Sequence, residues 1–127
     1  MDGSIINKGT STGIDVESIA RMKGLMENPR FLKRVFTVGE ARYCLGRRNP
    51  QRHLAGRFAA KEAYLKATGT GLTGGIRWTD IEVVNRANGK PELRLHSTAQ
   101  RKIPPAKRIF LSIAYSLETA LAFVAIG

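Results

Sequence analysis

One stretch of the sequence, residues 52–71, constrains the fold more than any other part of the chain. It contains five alanines, and alanine is the residue that loses least side-chain entropy in a helix. We therefore predict a long helix over roughly residues 51–68, ended by the turn Gly69-Thr70-Gly71. A glycine turn at this place also exposes backbone N–H groups that can donate to a ligand.

Four charged residues lie within this predicted helix: Arg57, Lys61, Glu62 and Lys66. Glu62 and Lys66 are four positions apart, so their side chains share one face. Such a pair is most often a solvated contact that stabilises a helix by about 0.3–0.5 kcal/mol. The alternative is functional, because the small alanines beside the pair leave room for another segment or a ligand to approach the helix.

The charge balance indicates an anionic partner. The chain has 127 residues, with 21 Lys and Arg against 10 Asp and Glu, and a formal net charge of +11. A field of that sign attracts nucleic acid, phosphate-bearing ligands, anionic lipid or an acidic protein. The sequence has no aromatic-rich RNA-binding signature, no zinc-ligand spacing and no basic heptad region, so charge alone does not choose among these partners.

The length of the chain limits the number of domains, and its cysteine content indicates the cellular compartment. We expect one domain over residues 1–127, with residues 1–12 a frayed terminus that includes a short strand near Ile5 and Ile6. The single Cys44 excludes an internal disulfide and indicates a reducing compartment, where we expect it to be a buried hydrophobe. No apolar run approaches the ~20 residues that cross a bilayer, and no signal core is present. We therefore expect a cytoplasmic protein with no membrane association.

The second informative stretch is Gly13-Ile14-Asp15-Val16. Its aliphatic residues alternate with Asp15, which is typical of a strand with Ile14 and Val16 on one face and Asp15 on the other. Asp15 is equally suited to cap the helix that follows, and the sequence leaves both roles open.

The segment between these two stretches predicts short helices. An apolar stripe over residues 19–26 predicts the first helix, and Asn28-Pro29 breaks it. Thr37 and Glu40 have capping-box spacing, which predicts another helix through about residue 45.

The last third of the chain predicts β-structure. Asn88-Gly89 between two alternating segments indicates a hairpin with a type I′ turn. Residues 97–102 favour a short helix, whereas residues 108–115 and 119–126 have the alternation of strands. We therefore predict an α+β fold in which one long helix packs against a small antiparallel sheet.

Asp15 in its Gly-x-Asp setting, read together with residues 52–71, resembles the signature of a known enzyme family. The family is that of the holo-(acyl-carrier-protein) synthases, the short bacterial type of 4′-phosphopantetheinyl transferase. Further similar segments stand in the family's order, namely Ile19-Ala20-Arg21, residues 30–37, residues 80–83 and Asn88-Gly89-Lys90-Pro91. The resemblance covers about residues 13–126, and the ordered set is far more specific than a lone Gly-x-Asp.

The resemblance implies transfer of 4′-phosphopantetheine from coenzyme A to a serine of an apo acyl carrier protein, with release of 3′,5′-ADP. It also implies a Mg²⁺ site made by Asp15 and Glu62, and Mg²⁺ does favour one or two carboxylates beside phosphate oxygens and water. Lys66 is expected to clamp the pyrophosphate, and Glu62 to act as the base for the acceptor serine. Asp15, Glu62 and Lys66 are thus the expected catalytic residues.

The other expected coenzyme contacts lie on the same helix and its turn. The groups that would bind phosphates are His53, Arg57, Lys61, Lys66, Gly69, Thr70 and Gly71. Three places depart from the family pattern. The family usually begins with an apolar strand that leads into its Gly-x-Asp, where this chain has the polar residues 7–12. A Glu commonly stands three residues after the Asp, where this chain has Ser18 with Glu17 one place earlier, and Tyr115 stands where many members have His.

The resemblance also implies an acidic carrier protein as partner. The docking surface is then expected at Arg21, Arg30, Lys33 and Arg34, with Phe31 as an apolar anchor. The resemblance also implies a homotrimer with active sites between subunits. It implies that the protein does not bind nucleic acid. The alternatives are a basic module that binds RNA or another polyanion, which leaves the two carboxylates without a role, and a carrier-protein binder without catalytic activity.

Overall fold

The protein is described here by a computed structural model that covers residues 9–127. Its elements in chain order are β1 (Ser11–Ser18), α1 (Ile19–Leu25), α2 (Pro29–Val35), α3 (Val38–Leu45), α4 (Pro50–Thr68), β2 (Ile81–Asn85), β3 (Pro91–Leu95), α5 (Ser97–Lys102), β4 (Ile109–Tyr115) and β5 (Thr119–Ile126). The predicted α+β fold is confirmed, and α4 matches the predicted long helix closely. The strand predicted near Ile5 lies outside the described residues, whereas Ser11 and Thr12, which were predicted to belong to a frayed terminus, pair with β5 as the first residues of β1.

The helix α4 packs across one face of a three-stranded antiparallel sheet with the strand order β1-β5-β4. The central strand β5 pairs with β1 so that Asp15 lies opposite Ala122. Ala59, Ala60 and Ala63 of α4 are fully buried in the core cluster that also contains Ala122. A second sheet, β2–β3, contacts α4 through β2 and β4 through β3.

The alanines of α4 allow β1 to approach the helix at backbone distance. A Cβ added to Gly13 would lie 2.0 Å from the carbonyl oxygen of Ala63 and 2.6 Å from the amide nitrogen of Ala67. Only a residue without a side chain fits such a gap. The stretch that predicted the helix therefore also provides the surface on which β1 lies, which holds Asp15 against α4.

Side chains near the helix ends explain where the short helices begin. Ser18 caps α1 by accepting from the N–H of Arg21 at 3.1 Å, so the alternative prediction that Asp15 caps this helix is wrong. Asn28 caps α2, and Pro29 occupies the first turn, where its missing N–H costs nothing. Thr37 forms the predicted capping box at the start of α3.

The β2–β3 hairpin exists, but its turn differs from the predicted type. A type I′ turn requires positive φ at both central residues. In this loop Gly89 has φ of 87°, whereas Asn88 does not have positive φ. The N–H of Gly89 donates to the carbonyl of Arg86 at 2.8 Å, which places the glycine after the turn rather than inside it. The five residues between the paired strand ends give the loop this longer geometry.

The single cysteine has the buried environment that the sequence predicts. Cys44 is fully buried, and burial raises the pKa of its thiol to about 11, so it behaves as a hydrophobe. Among the helices of residues 9–127, none combines the length and the apolar character needed to cross a membrane.

Candidate active site

The close packing of β1 on α4 brings Asp15 to Lys66. The Nζ of Lys66 donates to Asp15 Oδ1 at 3.0 Å and to the carbonyl of Ile14 at 3.1 Å. Asp15 is 9% exposed, and its second oxygen, Oδ2, is buried and accepts from no described residue as long as Glu17 is ionised, whereas a protonated Glu17 would donate to the Asp15 carboxylate. A buried carboxylate oxygen of this kind is an open position for a cation or a donor.

Glu62 lies one helical turn before Lys66 and shares this site. Burial raises the pKa of the Glu62 carboxyl, the negative charge of Asp15 raises it further, and the positive charge of Lys66 opposes both effects. The charge of Asp15 on β1 therefore acts on Glu62 of α4, whereas their joint Mg²⁺ site stays a prediction. Two carboxylates that repel each other in one place favour a bound cation.

Glu17 is a third carboxylate near this site, and the sequence left its role open. Burial, a hydrogen bond to Asp15 and the charges of Asp15 and Glu62 raise its pKa to about 8, whereas Arg21 lowers it. The signal was present in the alternation of the strand, because residues two apart point to the same face. Glu17 therefore lies on the same face of β1 as Asp15, and the alternation alone predicts this placement.

A cavity of about 440 Å³ opens beside these carboxylates. Glu62 and Lys66 line one part of it, Gly69 and Gly71 another, and apolar side chains of Leu65, Leu72 and Trp78 complete the wall. The sequence did not identify these apolar residues, since nothing in their spacing separates them from core positions.

The glycine turn supplies fewer backbone donors than predicted. The N–H of Gly69 donates to the carbonyl of Leu65 at 3.0 Å as part of the helix end, so the prediction that this N–H is a free donor for a ligand is wrong, although Gly69 still lines the cavity. The N–H groups of Thr70 and Gly71 have no acceptor among residues 9–127. Gly69 and Gly71 have φ of 76° and 61°, which is the left-handed region that favours glycine.

The prediction that Lys61 contacts a coenzyme phosphate is also wrong. Its side chain is fully buried, and its Nζ donates to Glu40 Oε1 at 2.7 Å and to the carbonyls of Trp78 at 3.0 Å and Ile81 at 2.6 Å. An ammonium group has three donors, and all three are used. Glu40 also accepts from the N–H of Val83 at 2.8 Å, so this ion pair joins α3, α4 and β2.

Arg57 and His53 lie away from Glu62 and Lys66. Arg57 is 3% exposed, donates to Asn85 Oδ1 at 2.5 Å and lines a separate cavity of about 470 Å³ beside Tyr43. Its Nε is buried without a partner among the described residues. Burial and the charges of nearby arginines, Arg57 included, lower the pKa of His53. One chain therefore does not bring these two residues to the cavity that contains Glu62.

The predicted docking residues lie on α1 and α2. Arg21, Arg30, Lys33 and Arg34 are all exposed. Phe31 is only partly exposed, and its ring packs edge-to-face on that of Phe36 and on that of Phe58, with centroid distances of 6.1 Å for both pairs. Much of Phe31 is therefore used inside the protein.

The donor set at Asp15 and Glu62 is compatible with Mg²⁺. Within residues 9–127, no group of three or more His, Cys, Asp and Glu side chains is arranged to hold a metal ion by itself. Mg²⁺ typically takes only one or two carboxylates and completes its shell with water and substrate phosphates. The unpartnered Asp15 Oδ2 and the neighbouring Glu62 fit that kind of site.

Comparison with known proteins gives a consistent result. The profile of the 4′-phosphopantetheinyl transferase superfamily matches residues 11–110. A holo-[acyl-carrier-protein] synthase of Geobacter metallireducens is 44% identical over 117 residues, which cover 89% of this chain and 93% of the relative. The corresponding protein of Geobacter sulfurreducens is 45% identical with the same coverage.

Solved structures agree with the sequence comparison. The holo-(acyl-carrier-protein) synthase of Bacillus anthracis, solved in complex with CoA (3′,5′-ADP), superposes with a TM-score of 0.77 at 35% identity and covers 91% of this chain and 94% of that one. The Neisseria meningitidis protein gives a TM-score of 0.79 at 33% identity, with 92% and 97% covered. From its sequence, its fold and these relatives, the chain belongs to the holo-[acyl-carrier-protein] synthase family of 4′-phosphopantetheinyl transferases and is an enzyme of that kind.

Proposed function

We propose that this chain transfers the 4′-phosphopantetheine group of coenzyme A to a serine of an apo acyl carrier protein, with Mg²⁺, and releases 3′,5′-ADP. The observation that carries the proposal is the meeting of Asp15, Glu62 and Lys66 at the edge of an open cavity. The similarity to the Bacillus anthracis synthase in complex with CoA (3′,5′-ADP) supports the choice of coenzyme.

In the proposed reaction, the serine hydroxyl oxygen attacks the phosphorus that carries the pantetheine group. A new P–O bond to serine forms, and the bond from that phosphorus to the 3′,5′-ADP oxygen breaks. Glu62 accepts the proton of the hydroxyl, and its raised pKa suits it to act as a base nearer neutral pH than an ordinary carboxylate. Asp15 pairs with Lys66 and orients the site.

Asp15 and Glu62 are the residues that would hold the metal. Mg²⁺ bound there would polarise the pyrophosphate and offset the negative charge that develops on the leaving phosphate. Lys66 has the side-chain freedom to serve the same anion, because 54% of its side chain is exposed while its Nζ lies against Asp15. The free N–H groups of Thr70 and Gly71 lie one turn further along the chain and provide additional donors.

The separation of Arg57 from Glu62 supports active sites formed between subunits. Arg57 lines a cavity together with Arg47 and Arg86, which makes that cavity suited to a phosphate group. A coenzyme that contacts both Lys66 and Arg57 then has to lie between two copies of the chain. We propose that one copy provides Asp15, Glu62 and Lys66, and its neighbour provides Arg57.

An apolar face of the sheet is available for such an assembly. The face of β1-β5-β4 that points away from α4 exposes Ile14, Val16, Phe110 and Phe123. Ile14 pairs with Phe123 across β1 and β5, so these side chains form one contiguous patch. Contiguous exposed apolar surface of this kind marks an interface. We propose a homotrimer that buries this face, and sedimentation analysis of the wild-type chain against Phe110→Asp tests it.

The proposed partner is an acidic acyl carrier protein. The exposed charges of Arg21, Arg30, Lys33 and Arg34 would steer it to α1 and α2, and such steering weakens as salt is raised. The reaction and its metal, coenzyme and partner are those of a cytoplasmic enzyme, a location that the buried thiol of Cys44 also fits.

A single assay tests the proposed reaction. Apo carrier protein is incubated with coenzyme A and Mg²⁺, and its mass is followed for the gain of one phosphopantetheine group, with 3′,5′-ADP measured in parallel. Glu62→Gln should lower the rate by orders of magnitude, whereas the matched change Glu118→Gln, on the exposed β4–β5 turn, should not. Near-normal Mg²⁺-dependent transfer by Glu62→Gln would remove that residue from the chemistry, and no mass gain with the wild-type chain would refute the function.

A further inference from the structure

An apolar groove lies between α2 and α3, outside the site described above. Leu32 and Phe36 of the α2 segment form one wall, Val38 and Ala41 of α3 form the other, and Thr79 closes one end. The groove has a volume of about 430 Å³. Val38 is 75% exposed at its edge, although it is the first residue of α3 and a valine. We call this feature the α2–α3 groove.

One cation, Lys33, lines the α2–α3 groove, and two more lie on the helix that contains it. These two are Arg30 and Arg34. The helix α2 contains no acidic residue, and none of these three cations forms an ion pair among residues 9–127. The groove therefore combines an apolar interior with one lysine that has no acidic partner among the described residues, and two further cations lie on the same helix, which fits an acidic protein that presents an apolar side chain.

The position of the groove relates it to the active cavity. The 3-10 turn Trp78–Asp80 separates the two, because Trp78 lines the active cavity and Thr79 lines the α2–α3 groove. A partner seated on the groove is thus held next to the cavity that contains Glu62. Phe31 is less suited to this role, since its ring already packs on Phe36 and Phe58.

We propose that the α2–α3 groove receives an apolar side chain of the acidic carrier protein and so fixes the carrier beside the active cavity. This inference rests on the proposed function, because it assigns a second contact to the same partner. The cations attract the carrier over a distance, whereas the groove provides the short-range contact that sets its orientation. Val38 and Leu32 then help to determine which carrier protein binds, in addition to the charged residues of the docking surface.

Substitutions at Val38 test the groove without disturbing the fold. Val38 is exposed and stands in the first turn of α3, where an acidic residue is favourable to the helix, so Val38→Glu is expected to fold. The probe is an apo acyl carrier protein whose acceptor serine is replaced by alanine, and its Kd is measured by calorimetry beside the Kd of coenzyme A. Leu117→Glu is the matched control, because Leu117 is 96% exposed on the β4–β5 turn and does not line the groove.

Removing the apolar contact and adding repulsion should give graded results. We expect Val38→Ser to weaken carrier binding by about tenfold and Val38→Glu by about a hundredfold, while Leu117→Glu stays within about twofold of the wild type. The deficit of Val38→Ser should persist at 0.5 M salt, about the range in which charge attraction is largely screened. Coenzyme A affinity should stay at the wild-type value in all three variants.

The outcomes separate the inference from the function on which it rests. Wild-type carrier affinity in both Val38 variants overturns the groove while leaving the proposed transfer intact. Equal loss of carrier and coenzyme affinity also overturns it, because a docking contact does not act on the coenzyme. A wild-type chain that binds no carrier protein under any salt condition overturns the proposed function together with the groove.

Discussion

A single methyl group added at Gly13 should move Asp15 of β1 away from Lys66 of α4. The backbone of β1 lies so close to α4 that a Cβ at Gly13 would be 2.0 Å from the carbonyl oxygen of Ala63, whereas real Cβ contacts essentially never fall below 3.0 Å. The obstacle is backbone on both sides, so no side-chain rotation relieves it. Gly13→Ala therefore forces β1 and α4 apart by about 1 Å or more.

That displacement acts on Asp15, which is two residues further along the same strand. Its contact with Lys66 at 3.0 Å joins β1 to α4 and would lengthen with the gap. A misplacement of about 1 Å in a catalytic group typically costs about a hundredfold in rate. The overpacked core should in addition lose about 1–3 kcal/mol in the free energy of unfolding. The prediction is thus a loss of kcat well beyond what partial unfolding explains.

The measurement is kcat for the gain in mass of apo carrier protein at saturating carrier and coenzyme A, with denaturant unfolding of the same samples. Gly24→Ala is the matched control, because no heavy atom lies within 4 Å of its added Cβ and alanine favours the helix α1. The control should keep its kcat and lose no stability. A folded Gly13→Ala variant whose kcat is within threefold of the wild type would refute the argument that close packing of β1 delivers Asp15.

The other predictions concern buried groups and the docking surface. Lys61→Met should lower the free energy of unfolding by about 3–5 kcal/mol, because Glu40 is left buried without its cation, and a variant with Glu40→Leu in addition should recover part of that loss in denaturant melts. Burial raises the pKa of Tyr64 from 10.0 to about 12, so the folded state keeps its proton longer and stability is lost as pH rises through that interval. Tyr64→Phe should make the slope of unfolding free energy against pH shallower there, and an unchanged slope would contradict this assignment. Arg21→Glu should weaken carrier binding in a calorimetric titration and leave coenzyme A affinity intact, whereas equal loss of both would show that Arg21 is not a docking residue.

The sequence predicted the local elements well because their causes are local. The alanines and the glycine turn define α4, Thr37 and Glu40 define the start of α3, and alternation defines the last two strands. The turn of the hairpin was predicted wrongly, since Asn-Gly is compatible with more than one loop and the strand register decides which one forms. The resemblance to a family predicted the reaction, and the comparisons confirm the enzyme class.

The candidate site was predicted less completely, because its residues depend on contacts between distant segments. Asp15 and Lys66 were expected to act together, and the structure places them in contact. Lys61 and Gly69 were expected to bind the coenzyme as well, but one is enclosed in a buried ion pair and the other uses its N–H to close the helix. Lys61 and Gly69 have the same residue types as Lys66 and Gly71 of the candidate site, and only the direction of the side chain or of the N–H differs.

The sequence by itself thus determined that a long alanine-rich helix exists, that it carries a Glu and a Lys on one face, and that an Asp precedes it on a strand. Tertiary structure decided which face of that helix meets the strand. The two lysines on α4 are five residues apart and therefore point in different directions, so the rotation of the helix against β1 exposes Lys66 and buries Lys61. That rotation is fixed by the fit of Gly13 against Ala63 and Ala67, a contact between segments some fifty residues apart that no local pattern encodes.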